Sequence, residues 1–73
     1  MSRPVDAAIL AALDQGLTTE AGALAQAYWS LRGSGHWVPR EQVEWAWARL
    51  TQEGRITRAG RAWTIVEVTD VDA

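Results

Sequence analysis

The sequence predicts an α+β domain, mostly helical, in which three helices are closed by a short C-terminal β-hairpin. Three observations carry that expectation. Apolar residues recur at helical spacing in three segments, at about residues 4–15, 20–32 and 39–53. Glycine stops each segment, at Gly16, within Gly33-Ser34-Gly35 and at Gly54. Beyond Gly54 come two short runs with β character, Arg55 to Arg58 and Arg61 to Val66, with only Ala59-Gly60 between them.

In the first helix, Ser2 is placed to cap the N-terminus, and Pro4 suits a first turn whose N–H groups are unpaired anyway. Val5, Ile9, Ala12 and Leu13 fall on one face. Leu17-Thr18 is placed as a short strand against the hairpin. Thr18 or Thr19 then caps the second helix, whose inward face is read as Leu24, Ala27, Tyr28 and Leu31. His36-Trp37-Val38 leads to the third helix, which begins at Pro39. Its first turn carries Glu41, where a carboxylate suits the helix dipole. Val43, Ala46, Trp47 and Leu50 give an i, i+3, i+4, i+7 stripe. In the hairpin, an Ala59-Gly60 loop sets Arg58 opposite Arg61 and Ile56 opposite Trp63. Ile56, Trp63 and Ile65 then share the core face, while Thr57, Ala62 and Thr64 face away. The reading is one domain over residues 1–68 and an acidic, frayed tail over residues 69–73, with no internal repeat or linker.

Seventy-three residues lie near the lower limit for a single apolar core. The chain has no cysteine, so neither a disulfide nor a thiolate ligand assists it. Five tryptophans compensate, and three of them are expected to serve the core. No apolar run is long enough to span a bilayer and nothing has the pattern of a signal peptide, so a cytoplasmic protein is expected. The formal net charge is −2, yet Glu67, Asp70 and Asp72 all lie near the C-terminus. Residues 1–66 therefore hold seven arginines against six acids, a net of +1. Arg55, Arg58 and Arg61 cluster on the hairpin.

The segment V-x-x-A-W-x-x-L-x-x-E-G-R-I-x-R-x-G-R-x-W-x-I, from Val43 to Ile65, resembles the winged helix-turn-helix superfamily, as found in small bacterial and phage regulators. The order helix, strand, helix, helix, hairpin extends that resemblance over nearly the whole chain. It implies a three-helix winged helix-turn-helix with a hairpin wing, and a small DNA-binding protein that regulates transcription. In such proteins the third helix enters the major groove of double-stranded DNA and the wing touches the backbone or minor groove. Carried onto this chain, the groove set is Arg40, Gln42, Arg49 and Gln52, and the wing set is Arg55, Arg58 and Arg61. Arg49 has the fork to meet guanine bidentately. A homodimer on two-fold half-sites would follow, with Val66 and Val68 on an exposed strand edge as its contact.

Two features depart from a DNA reader. Glu41 and Glu44 lie on or beside the groove face, where a carboxylate repels phosphate. Trp45 points about 160° away from the core stripe, counting 100° per residue. The alternative is a protein-binding winged helix, of the kind a phage inhibitor or adaptor would be. It would contact its partner through Trp45 with Glu41, Glu44 and Arg49, joined by Trp29 and Trp37. Trp47 and Trp63 are assigned to the core. Trp37 is read as filling a gap under the turn between the second and third helices. Trp29, on the outer side of its helix, is either covered by a neighbour or part of the contact surface. His36 is the only histidine and has no ligand cluster around it, so no metal is expected. No nucleophile, phosphate loop or carboxylate pair is set up for catalysis, so the expectation is a binding protein, not an enzyme, that needs no cofactor.

Overall fold

The computed structural model describes residues 3–66. Ser2, Val68 and the tail at residues 69–73 lie outside the described residues. The elements are α1 (Arg3–Asp14), α2 (Glu20–Gly33), α3 (Arg40–Gln52), β1 (Ile56–Ala59) and β2 (Ala62–Ile65). Three helices and a two-stranded antiparallel hairpin make a mostly helical α+β domain, as expected.

All three helices end in the same way. In each, a glycine with positive φ follows the last turn: Gly16 at 100°, Gly35 at 86° and Gly54 at 75°. The N–H after each glycine reaches back to a carbonyl inside the helix. Leu17 donates to Ala12 at 3.2 Å, His36 to Leu31 at 2.8 Å and Arg55 to Leu50 at 2.9 Å. These are Schellman closures, which satisfy carbonyls that would otherwise lack a partner. Thr19 caps α2, its Oγ1 accepting from the Gly22 N–H at 3.1 Å.

The core forms where α1, α2 and α3 meet. Val5, Ile9, Ala12 and Leu13 of α1 face Ala23, Ala27 and Leu31 of α2 and Val43, Ala46, Trp47 and Leu50 of α3. The α1 and α3 stripes are as expected. That of α2 is turned toward Ala23. Ala27 and Leu31 are buried as expected, and Ala23 joins them where Leu24 and Tyr28 are only partly buried.

The hairpin register differs from the expected one. Ile56 pairs with Ile65, Thr57 with Thr64, Arg58 with Trp63 and Ala59 with Ala62. The two loop residues are Gly60 and Arg61, not Ala59 and Gly60. Gly60 has φ 66° and no other residue of the hairpin has positive φ, which puts glycine at the first central position, as in a type II′ turn. The shift moves each partner by two positions, so the faces survive. Ile56 is buried and Trp63 and Ile65 pack against the core, while Thr57 and Thr64 are exposed. Trp63 ties the hairpin down twice. Its ring meets Trp47 edge-on at 4.9 Å between centroids, and its N–H donates to the Thr18 carbonyl at 2.8 Å. That one bond is all that Leu17-Thr18 contributes in place of the expected strand, because the cap of α2 begins at the next residue.

Candidate interaction surfaces

The outer face of α3 is built by the phase of the helix. With Val43, Ala46, Trp47 and Leu50 turned inward, Glu41, Glu44, Trp45 and Gln52 are turned to solvent. Trp45 is 69% exposed. Gln42 is half-buried, and Arg40 is exposed at the N-terminal end.

Arg49 is not a free groove residue. Its Nη2 donates to Oδ1 of Asp6 on α1, and its Nη1 lies 3.5 Å from Oε2 of Glu53. Its hydrogen bond to Asp6 and then the Asp6 charge hold the Arg49 guanidinium above its ordinary range, against a smaller effect of burial. Asp6 thus takes an N–H of Nη2 and Glu53 lies against Nη1, so a guanine would compete with partners inside the chain. The remaining charges on or beside this face are Arg40 at its N-terminal end and Glu41, Glu44 and Glu53, so a phosphate backbone approaching here meets one cation and three carboxylates.

The hairpin arginines are disposed differently. Arg55, Arg58 and Arg61 are all exposed, and among the described residues none has a carboxylate within ion-pair distance. They do not project as a facing pair. Arg58 stands opposite Trp63 and its Nε donates to the Gly60 carbonyl at 2.9 Å, whereas Arg61 sits in the loop.

A second exposed cluster surrounds the α2–α3 turn. Trp29 is 61% exposed and Trp37 is 72% exposed. Trp37 does not fill a gap beneath the turn, and among the described residues no element covers Trp29. Both rings instead lie near Arg32, whose guanidinium carbon is 4.4 Å from the Trp37 ring centroid and 5.3 Å from that of Trp29. Arg32 also approaches the Tyr28 ring at 5.8 Å, and Arg40 reaches the same ring at 6.0 Å from the start of α3. Tyr28 and Trp29 meet edge-on at 5.5 Å. The core therefore takes Trp47 and, in part, Trp63, and three of the five tryptophans are left outside it.

Tyr28, read from the sequence only as a core-facing residue, and Arg32 and Asp6, not singled out there, are the residues that the structure adds. The first two had a local signal, because residues three and four apart on a helix are neighbours and Tyr28, Trp29 and Arg32 have that spacing. Asp6 had none, since its partner is on another helix. Val66, half-buried, is bonded through its N–H to the Arg55 carbonyl at 2.9 Å, within the hairpin. No polar or charged residue among the described residues is buried, and none of the described helices is long and apolar enough to cross a membrane. No family model, curated protein or solved structure matches the chain.

Proposed function

We propose that the chain is a protein-binding winged helix whose contact surface is centred on Trp45. The observation that carries this is the pairing of two facts on α3. An indole is 69% exposed at the middle of its outer face, and the arginine beside it is already held by Asp6. Tryptophan and arginine dominate the energetics of protein interfaces, and an isolated indole in water loses nothing by being covered. Glu41 and Glu44 form a polar rim suited to a partner with cationic side chains. A cytoplasmic site of action fits a chain without cysteine.

The second reading is double-stranded DNA, favoured by the three arginines of the hairpin, which have no ion-pair partner among the described residues. With Arg49 engaged, the phosphate contacts available are Arg40, Arg55, Arg58 and Arg61. Four such contacts give a log affinity that falls with log salt at a slope of about −3.6.

One pair of measurements separates the two. A photo-crosslinking amino acid at position 45 should give protein adducts in cells, and Trp45→Ala should remove the same partner from a pull-down while Arg58→Ala with Arg61→Ala keeps it. A labelled random duplex of about two helical turns should show no binding at low salt. Duplex binding with the four-contact slope, lost in the double arginine variant, would overturn the proposal in favour of DNA.

A further inference from the structure

We infer that the cluster at the α2–α3 turn is a docking site for an acidic, proline-containing segment of a protein partner. This rests on the protein-binding reading above and extends it to a surface separate from Trp45. The recognising groups are Trp29, Trp37 and Tyr28 as rings, and Arg32 and Arg40 as cations. Charge complementarity selects the occupant. Among the described residues neither Arg32 nor Arg40 has a carboxylate within 4.0 Å, the limit that defines an ion pair. Arg32 spends one Nη1 N–H on the Tyr28 hydroxyl at 3.5 Å, and both guanidinium groups otherwise lie near rings with further N–H donors to offer. A carboxylate can take those donors without displacing any acid among the described residues.

The rings select the rest of the segment. Trp29 and Trp37 are exposed and both lie near Arg32, and neighbouring aromatic surfaces are what proline-rich segments dock against in the extended polyproline conformation. Such a segment is ordered before it binds, so it loses little entropy on docking. Single-stranded nucleic acid also stacks on aromatic rings, but it needs a cationic groove that follows several phosphates. Here two arginines form a compact spot, and on α3 Glu41 follows Arg40 directly and Glu44 lies one turn on. A short acidic stretch matches that footprint and a nucleic-acid backbone does not.

The test follows the five indole N–H signals in nitrogen-15 proton correlation spectra of the full chain. The titrant is a blocked peptide of alternating glutamate and proline. The controls are its glutamine counterpart and an oligothymidylate of similar length. The expected result is movement of the Trp29 and Trp37 signals with the acidic peptide, little with either control, and no movement of Trp45, Trp47 or Trp63. Arg32→Gln should weaken the response about tenfold, losing a charge-assisted contact and the cation that lies near both rings. Arg40→Gln, at an exposed site that leaves the core untouched, should weaken it less and guards against a fold effect of the first variant. Equal shifts with the neutral peptide, stronger shifts with the oligothymidylate, or shifts that follow protein concentration alone would each overturn the inference. The peptide experiment reads positions 29 and 37, whereas crosslinking reads position 45, so either proposal can fail without the other.

Discussion

Trp45 and Trp47 stand two positions apart on α3 and have opposite environments. Trp47 is 4% exposed, packed in the core with its ring against Trp63, while Trp45 is 69% exposed. Two steps along a helix turn a side chain by about 200°, which carries it from the inner face to the outer one. Residue type is held constant in this pair, so the difference belongs entirely to helical phase. A large indole is a core residue only where the stripe of its helix meets other elements. Where the stripe ends, the same side chain becomes an unsatisfied surface, and its use must be sought outside the chain.

The largest expected effect follows directly. Trp47→Ala should destabilise the fold by about 3–5 kcal/mol, the usual cost of removing a buried tryptophan. For a domain of this size that is a large part of the total stability, so much of the variant should be unfolded at room temperature. Trp45→Ala should stay within about 0.5 kcal/mol of the parent, because no packing is lost. Urea unfolding with unchanged slope would measure both. A loss of more than about 1 kcal/mol in Trp45→Ala would mean that the outer indole supports the fold, and the contrast between the two faces would break.

The next effect tests what sets the phase. Gly54 closes α3 at φ 75° and decides where the hairpin leaves, and hence where Trp63 lands against Trp47. A β-carbon there meets nothing within 4 Å, so the cost of Gly54→Ala is conformational alone. It should be about 1–2 kcal/mol, the penalty of a left-handed backbone for an L-residue. Gly33 is the control. It is helical, without positive φ, and equally open, so Gly33→Ala should be stabilising by roughly 0.5–1 kcal/mol. Opposite signs for the same substitution would show that backbone conformation, not side-chain space, fixes the stop. Equal signs would refute it.

What the sequence made legible has the same division. The helices, their glycine stops and the inner faces of α1 and α3 are written in neighbouring residues, at i, i+3 and i+4, and could be read there. The hairpin faces could also be read, because a period of two survives a shift by two. The register could not, since it depends on whether Gly60 takes the first or the second loop position, and only the backbone conformation decides. The α2 face was read correctly at Ala27 and Leu31 but missed Ala23, because a small side chain carries little hydrophobic signal and the larger Leu24 and Tyr28 drew the assignment. Of the candidate site, the exposure of Trp45 followed from phase alone. Trp37 was misplaced because a flexible turn gives no phase. The fate of Arg49 was out of reach, because Asp6 is forty-three positions away and nothing local announces it.

Arg49 marks the boundary between the two faces, and it yields the smallest effect but the sharpest distinction. Its ion pair with Asp6 joins α3 to α1 at the edge of the core. Asp6→Asn and Arg49→Met should each lower the unfolding midpoint slightly, and the double variant should lose less than the sum, with a coupling that shrinks as salt rises. Strict additivity would mean that packing alone holds the boundary. The raised affinity of Arg49 for its proton adds stability that is fully present below the ordinary arginine range and is lost only above it, so the titration of Arg49 gives stability no pH dependence near neutrality. Its functional signature is different. Asp6→Asn releases a guanidinium at the edge of the outer face of α3. If that face met DNA, the freed cation would strengthen non-specific duplex binding and steepen its salt slope by about one. If the face serves a protein through Trp45, duplex binding should remain absent in Asp6→Asn as in the parent, because one released arginine does not outweigh Glu41, Glu44 and Glu53 around it.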